Sequence, residues 1–169
     1  MNDHADALSR AEQRWGVPPE IIAAIIGIET IYGRHTGNFS TFATLTTLAF
    51  DYPPRAELFR GELEELLLLA RDQHKSPLDY KGSYAGALGV PQFLPSSWRR
   101  HGVDFDGDSE VDLRASTEDA IGSVANFLAA HGWQAKWPTH FPVQPPASGP
   151  QLDTLLARVS ATGYPVSTD

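Results

Sequence analysis

The chain contains no cysteine among its 169 residues, so disulfides and thiol chemistry are excluded. That absence fits a reducing or an oxidising compartment equally. No stretch reaches the roughly 18 apolar residues that a bilayer-spanning helix requires. Basic residues are in the minority: 13 Lys and Arg stand against 21 Asp and Glu, giving a net charge of −8. A nucleic-acid binder wants a basic face, so that class is disfavoured. The histidines are scattered, and none forms H-E-x-x-H or a comparable zinc spacing. The first residues, Met1-Asn2-Asp3-His4, are polar and do not read as a signal peptide.

What remains is a chain of ordinary globular composition, long enough for one real core and one domain. Its pattern is helical almost throughout. A first helix is expected over about 4–15, ending before Gly16. Pro18-Pro19 suits the first turn of a second, running to about Tyr32 with Gly33 as its stop. A short helix is expected over 41–50. A longer one follows over about 55–73, burying Leu63, Leu66, Leu67, Leu69 and Ala70 and turning Glu57, Glu62, Glu64 and Glu65 outward. Glycines and prolines then break the periodicity from Ser76 to Pro95. Pro95-Ser96-Ser97-Trp98 reads as a helix start with Ser96 or its neighbour as cap. Ser116-Thr117-Glu118-Asp119 resembles a capping box before a helix over 120–131. Residues 134–150 carry Pro138, Pro142, Pro145, Pro146 and Pro150 and read as a linker or extended arm, with one small helix over 151–160. No strand pair is apparent. The boundary falls between a mostly α core, 1–133, and a Pro-rich tail, 134–169.

Glu29 carries the most information. It lies in the second helix, within Pro19-Glu20-Ile21-Ile22-Ala23-Ala24-Ile25-Ile26-Gly27-Ile28-Glu29-Thr30-Ile31-Tyr32. At roughly 100° per residue, Ile22, Ile25, Ile26 and Tyr32 fall within about 60° of it. An apolar surrounding favours the protonated acid, which general-acid chemistry requires. A structural acid paired with a buried Arg, or one at the rim of the core, satisfies the same pattern.

The second strong feature is Gly82-Ser83-Tyr84-Ala85-Gly86-Ala87-Leu88-Gly89-Val90-Pro91-Gln92-Phe93-Leu94-Pro95-Ser96-Ser97-Trp98. Its glycines and alanines give a backbone that a ligand can approach closely. Ser83 and Gln92 offer neutral hydrogen-bonding groups suited to sugar hydroxyls, and Tyr84 and Phe93 offer flat faces for pyranose rings. The P-loop lysine is absent, so this is not a phosphate loop. A tightly packed loop needing glycine only for its turns is the competing reading.

Gly27-Ile28-Glu29-Thr30-Ile31-Tyr32-Gly33, then Gly82 to Ser97, then Asp119-Ala120-Ile121-Gly122-Ser123-Val124-Ala125-Asn126-Phe127-Leu128 with His131-Gly132-Trp133, together resemble the lytic murein transglycosylase B family. The match covers roughly residues 15–133, in order. It implies a mostly α, lysozyme-like helical domain acting on peptidoglycan glycan strands. It also implies cleavage of the MurNAc–GlcNAc β-1,4 bond without water, leaving a 1,6-anhydro-MurNAc end. Glu29 matches the catalytic acid of the family, and Ser83, Gln92 and Phe93 match positions lining its sugar cleft. Tyr32, Tyr84 and Phe127 complete the candidate substrate-binding set. At Phe127 relatives often have Tyr, so one hydrogen bond is lost there. Family members also carry further helical sequence before this core and a later Tyr-Asn segment. Neither is recognisable here, and an open or incomplete cleft is expected.

Asp104-Phe105-Asp106-Gly107-Asp108-Ser109-Glu110-Val111-Asp112 places carboxyls at loop positions 1, 3, 5 and 9, an alternation that lets oxygens converge on a hard cation. It departs from the standard EF-hand: glycine is at position 4, and position 12 is Ala115. Glu118 or Asp119 is placed to close a longer loop. The resemblance implies an atypical EF-hand-like calcium loop with Asp119 in the matching place. The candidate ligands are therefore Asp104, Asp106, Asp108, Glu110 and Asp119, for a structural Ca²⁺, against the alternative of a solvated acidic turn. No cofactor is expected for the chemistry. A periplasmic monomer is expected from the resemblance, with an export signal lying outside this sequence. Two rivals stay open: a lysozyme-type hydrolase and a non-catalytic peptidoglycan-binding module.

Overall fold

The computed structural model describes residues 4–137 and, beyond them, residues 150, 153, 154 and 157. The chain divides into two units, Met1–Lys136 and Trp137–Asp169. The Pro-rich segment and most of the small helix expected over 151–160 lie outside the described residues.

The first unit is mostly α, as its periodicity predicts. Helix α1 spans Ala5–Trp15 and stops at Gly16, whose φ of 69° is the left-handed cap that glycine adopts freely. Helix α2 spans Pro19–Thr30 with Pro19 in its first turn, where the missing N–H is no loss. Helix α3 spans Thr41–Asp51, and its Ser40 cap accepts from Ala43 N at 3.4 Å. Helix α4, Ala56–Asp72, packs along α3 and against α5, Pro95–His101. Helix α6, Thr117–Ala130, packs on α1, α2 and α5. Ile22, Ile26, Leu45, Leu66, Leu88, Leu113 and Ile121 close the core and are fully buried.

Five local expectations are corrected. A strand pair exists: β1, Phe39–Ser40, runs antiparallel to β2, Lys81–Gly82, in the register Phe39 to Gly82. Leu67 lies 45 % exposed, off the apolar stripe of α4. Glu62 faces inward, at 6 % exposure, because its two oxygens accept from Ser96 N at 3.0 Å and Ser96 Oγ at 2.7 Å. Ser96 therefore does not cap α5; its hydroxyl is turned to α4, and the cap residue is Leu94. Ser116 caps α6 through Asp119 N at 3.1 Å, but the reciprocal half of the predicted capping box is missing. The Asp119 carboxylate is committed to the acidic loop instead.

Candidate functional site

Helix α2 ends at Thr30, two residues sooner than its apolar pattern suggests. Ile31, Tyr32 and Gly33 then follow with φ of 51°, 57° and 81°. Glycine accepts that region readily, but a β-branched residue there is strained by about 1–3 kcal/mol. This ending decides where Glu29 lies. The buried stripe is Ile22, Ile26 and Thr30, centred roughly 60° around the helix from Glu29. No further turn follows to cover the acid. Glu29 is exposed, contrary to the buried setting predicted, and Ile28 beside it is 83 % exposed. Tyr32 is likewise not on the Glu29 face. Its ring folds back over Gly27, with the phenol 2.9 Å from where a Gly27 Cβ would stand.

The neighbour of Glu29 ties this helix end to the glycine-rich segment. Thr30 is fully buried, and its Oγ1 donates to the Val90 carbonyl at 2.8 Å. Val90 N in turn donates to Leu113 O at 2.7 Å. The segment itself is a compact double bridge, Gly82 with Leu88 and Leu88 with Phe93. Glycine is required at two points of close approach. A Cβ at Gly82 would collide with the Ala87 carbonyl, and one at Gly37 with the Gly82 carbonyl.

That close pairing creates a cavity of about 440 Å³ lined by residues 34–39 with Ser83, Tyr84 and Gln92. Three predicted substrate-binding residues thus share one wall. Ser83 Oγ accepts from Ala85 N at 3.2 Å and Ala87 N at 3.0 Å, leaving its own proton free to donate. Gln92 gives its amide protons to Thr36 O at 3.1 Å and Gly89 O at 2.9 Å, so only its Oε1 is left for a ligand. Tyr84 is 77 % exposed and offers an open ring face. The opposite wall, Arg34 to Phe39, was missed by sequence reasoning. Its signal was Gly33 and Gly37 bracketing a short polar run, which only the β1–β2 pairing makes into a wall.

Phe93 and Phe127 are placed differently from the prediction. Phe93 is 8 % exposed, and its ring packs 5.2 Å from that of Phe127. Phe127 is half-buried, stacked 4.1 Å from His131 and edge-on to His101 at 5.2 Å. Neither lines the 440 Å³ cavity; both join α6 to the glycine-rich segment and α5. Burial, with His131 and then Arg100 adding repulsion, holds the His101 imidazole below its usual range.

The larger cavity, about 540 Å³, lies elsewhere, between the end of α4, α5 and residues 109–111. Its Arg99 is held by Glu65 and Asp72. Of the predicted site residues it includes only Glu110, and the smaller cavity is the candidate site.

In the acidic loop, carboxylate oxygens of Asp104, Asp106 and Asp108 lie within 4.8 Å of one another. Each is oriented by backbone donors. Asp104 accepts from Gly107 N and Ser109 N, Asp106 from Asp108 N, and Asp108 from Glu110 N. Three hard anionic oxygens that close together suit a divalent cation. The other two candidate ligands are not part of the group. Glu110 turns to Lys75 Nζ at 3.9 Å. Asp119, 1 % exposed, accepts from Phe105 N and Asp112 N, both at 2.8 Å. Its oxygens hold the two ends of the loop. Burial raises its carboxyl above the ordinary range, against the pull of those donors. Glu118, the other closing acid, pairs with Arg10 at 2.5 Å.

With this geometry in hand, the comparisons are specific. The family model for the transglycosylase SLT domain matches residues 1–163. Membrane-bound lytic murein transglycosylase B of Escherichia coli (strain K12) is 55 % identical over 132 residues, 78 % of this chain and 36 % of that protein. The Escherichia coli lytic transglycosylase Slt35, solved in complex with calcium, superposes with a TM-score of 0.77 at 54 % identity, over 80 % of this chain and 43 % of that one. SltB3 from Pseudomonas aeruginosa, solved in complex with NAG-anhNAM-pentapeptide, gives a TM-score of 0.79 at 37 % identity, over 86 % of this chain and 39 % of that one. The chain thus spans well under half the length of these relatives. Its mostly α, lysozyme-like fold and the extent of the match place it plainly: this chain belongs to the transglycosylase SLT domain family.

Proposed function

We propose that this chain is the catalytic core of a peptidoglycan lytic transglycosylase, cleaving the MurNAc–GlcNAc β-1,4 bond and leaving a 1,6-anhydro-MurNAc end. One observation carries the reading. A single carboxyl, Glu29, stands at the exposed end of α2, and its neighbour Thr30 is bonded to the glycine-rich segment whose Ser83 and Gln92 line a carboxylate-free cavity. Ordinary glycosidases need two carboxyl groups flanking the bond. Transglycosylation needs one.

Glu29 first gives its proton to the glycosidic oxygen as the C1–O bond breaks. The ring acquires oxocarbenium character, which the neighbouring acetamido group stabilises. The Glu29 carboxylate then takes the proton of the C6 hydroxyl as O6 bonds to C1. No water is consumed, and the intramolecular attack gains from proximity. A glycan strand laid across the exposed acid excludes water from the reacting bond. Ser83 Oγ–H and Gln92 Oε1 are placed to hold sugar hydroxyl or acetamido groups.

Digestion of purified sacculi tests this reading. Muropeptides one water lighter than their reducing-end counterparts are expected. Reducing ends would instead favour a lysozyme-type hydrolase. Glycan binding with no release would favour a binding module. A periplasmic setting is proposed because the substrate lies outside the cytoplasmic membrane, and a monomer is proposed with it. Among the described residues, no helix is long and apolar enough to cross a membrane. The core is proposed to end near residue 133, ahead of the Pro-rich tail.

Asp104, Asp106 and Asp108 are proposed to hold a structural Ca²⁺, and Slt35 was solved with calcium. The cation would offset the mutual repulsion of three carboxylates and has no part in the chemistry. Calcium at a hundred times its dissociation constant should add about 2.7 kcal/mol of stability. A rise of several degrees in melting temperature is expected, with no rise in Asp106→Asn. An unchanged melting temperature at millimolar calcium would remove the assignment.

A further inference from the structure

We propose that Thr30 is a positioning residue for the Glu29 carboxyl, setting it against the glycine-rich floor of the cleft; the inference rests on Glu29 being the acid. Thr30 is fully buried and immediately follows Glu29. Besides a longer approach to Ile26 O of its own helix at 3.3 Å, its hydroxyl makes two contacts beyond α2. It donates to the Val90 carbonyl at 2.8 Å, and it accepts from Gly33 N at 2.9 Å. The first bond ties the last turn of α2 to the glycine-rich segment. Among the described residues it is the one hydrogen bond between α2 itself and that segment. The second bond holds the reversal that ends the helix.

That reversal needs holding. Ile31 and Tyr32 both sit in the left-handed region, which non-glycine residues adopt only when their surroundings over-determine it. The Thr30 carbonyl adds a further restraint, accepting from His35 N at 2.9 Å. The strained stop leaves Glu29 on the last, exposed turn of α2, next to the residue that is bonded to Val90. Val90 is itself anchored through its N–H to Leu113 O at 2.7 Å. The acid thus owes its place to a neighbour that touches no substrate. General-acid transfer requires reach within hydrogen-bond distance, and a misplacement of about 1 Å can reduce turnover on the order of a hundredfold.

The test compares Thr30→Val, Thr30→Ala and Thr30→Ser with Glu29→Gln, using soluble glycan strands at a temperature well below each melting point. Thr30→Val is close in shape but has no hydroxyl; Thr30→Ala serves if it does not fold. The hydroxyl-less variants should lose at least tenfold in kcat per folded molecule, with KM changed less than twofold. Thr30→Ser should recover most of the loss. A merely structural threonine would lower the melting temperature and leave kcat of the folded fraction intact. That result, with Glu29→Gln inactive, overturns the inference alone. An active Glu29→Gln overturns the assignment of the acid, and this inference with it.

Discussion

Glu29→Gln should reduce release of anhydro-ended muropeptides by at least about a hundredfold, the lower range for a general acid–base group. Its melting temperature should stay within about 1 °C of the parent. The second expectation follows from exposure. Glu29 faces solvent and makes no ion pair among the described residues. Neutral substitution at such a surface position moves stability by less than about 0.5 kcal/mol. A structural acid buried against an arginine behaves in the opposite way, since removing its charge strands the partner at a cost of about 3–5 kcal/mol. Product analysis by mass and thermal unfolding on one variant therefore separate the two roles. A variant that loses activity only because it has lost its fold would show it in the melting curve. Retained turnover would move the acid elsewhere in the chain. Binding of glycan strands should survive the substitution, because Ser83, Tyr84 and Gln92 are untouched.

Glu62→Ala should be the most destabilising single change outside the hydrophobic core. Glu62 is a carboxylate at 6 % exposure whose two oxygens each accept a hydrogen bond from Ser96. Hydrogen bonds to charged groups contribute about 1.5–3 kcal/mol each. The alanine variant loses both and leaves the Ser96 N–H, in the first turn of α5, without its acceptor. A loss of about 3 kcal/mol is expected, which for a domain of this size lowers the melting temperature by roughly 10 °C. Glu62→Gln keeps one accepting oxygen but turns an NH₂ group toward a donor, so an intermediate loss is expected. Substitution at Glu64 or Glu57, both less buried than Glu62, should cost under about 0.5 kcal/mol. If Glu62→Ala melts like those two, the link between α4 and α5 is carried by apolar packing alone. Calorimetry on the three variants decides it.

Glu62 also shows why local pattern reaches only so far. On the helical wheel it falls among Phe59, Leu66 and Leu69, at i−3, i+4 and i+7, but a glutamate is rarely buried without a partner, so residue type alone grouped it with Glu57, Glu64 and Glu65. The partner that permits its burial is a serine 34 residues away in sequence, which no pattern within α4 names. The same holds for Asp119. A capping-box spacing predicts that its side chain returns to its own helix start, yet Phe105 N and Asp112 N claim it. The helices of the described core were legible because Pro18-Pro19, Gly16 and Ser116 act within a few residues of their own position. Helix ends were less so. α2 reads as running to Tyr32 on apolar content alone, whereas the Thr30–Val90 bond closes it at Thr30.

The candidate site divides along the same line. Ser83, Tyr84 and Gln92 were singled out because they fall in one short, compositionally unusual stretch, and they line one cavity. Residues 34–39 were not, because their role comes from the antiparallel pairing of Phe39 with Gly82. Phe93 was read as a sugar platform from its ring and from the family resemblance, and here its ring packs against that of Phe127. In the acidic loop, Asp104, Asp106 and Asp108 converge as their alternation predicts, since Asx turns act over two to five residues.

By itself the amino-acid order determined the helices of the core, the glycine-rich turns, the acidic turn and the family, since each is written in spacings shorter than about 20 residues or in motifs read in sequence. Only the tertiary structure decided which side of α2 is buried, that Glu29 stands at the rim, and that two distant segments share a wall. Those outcomes depend on contacts between residues far apart in the chain, where a buried polar atom takes the partner that packing brings within reach.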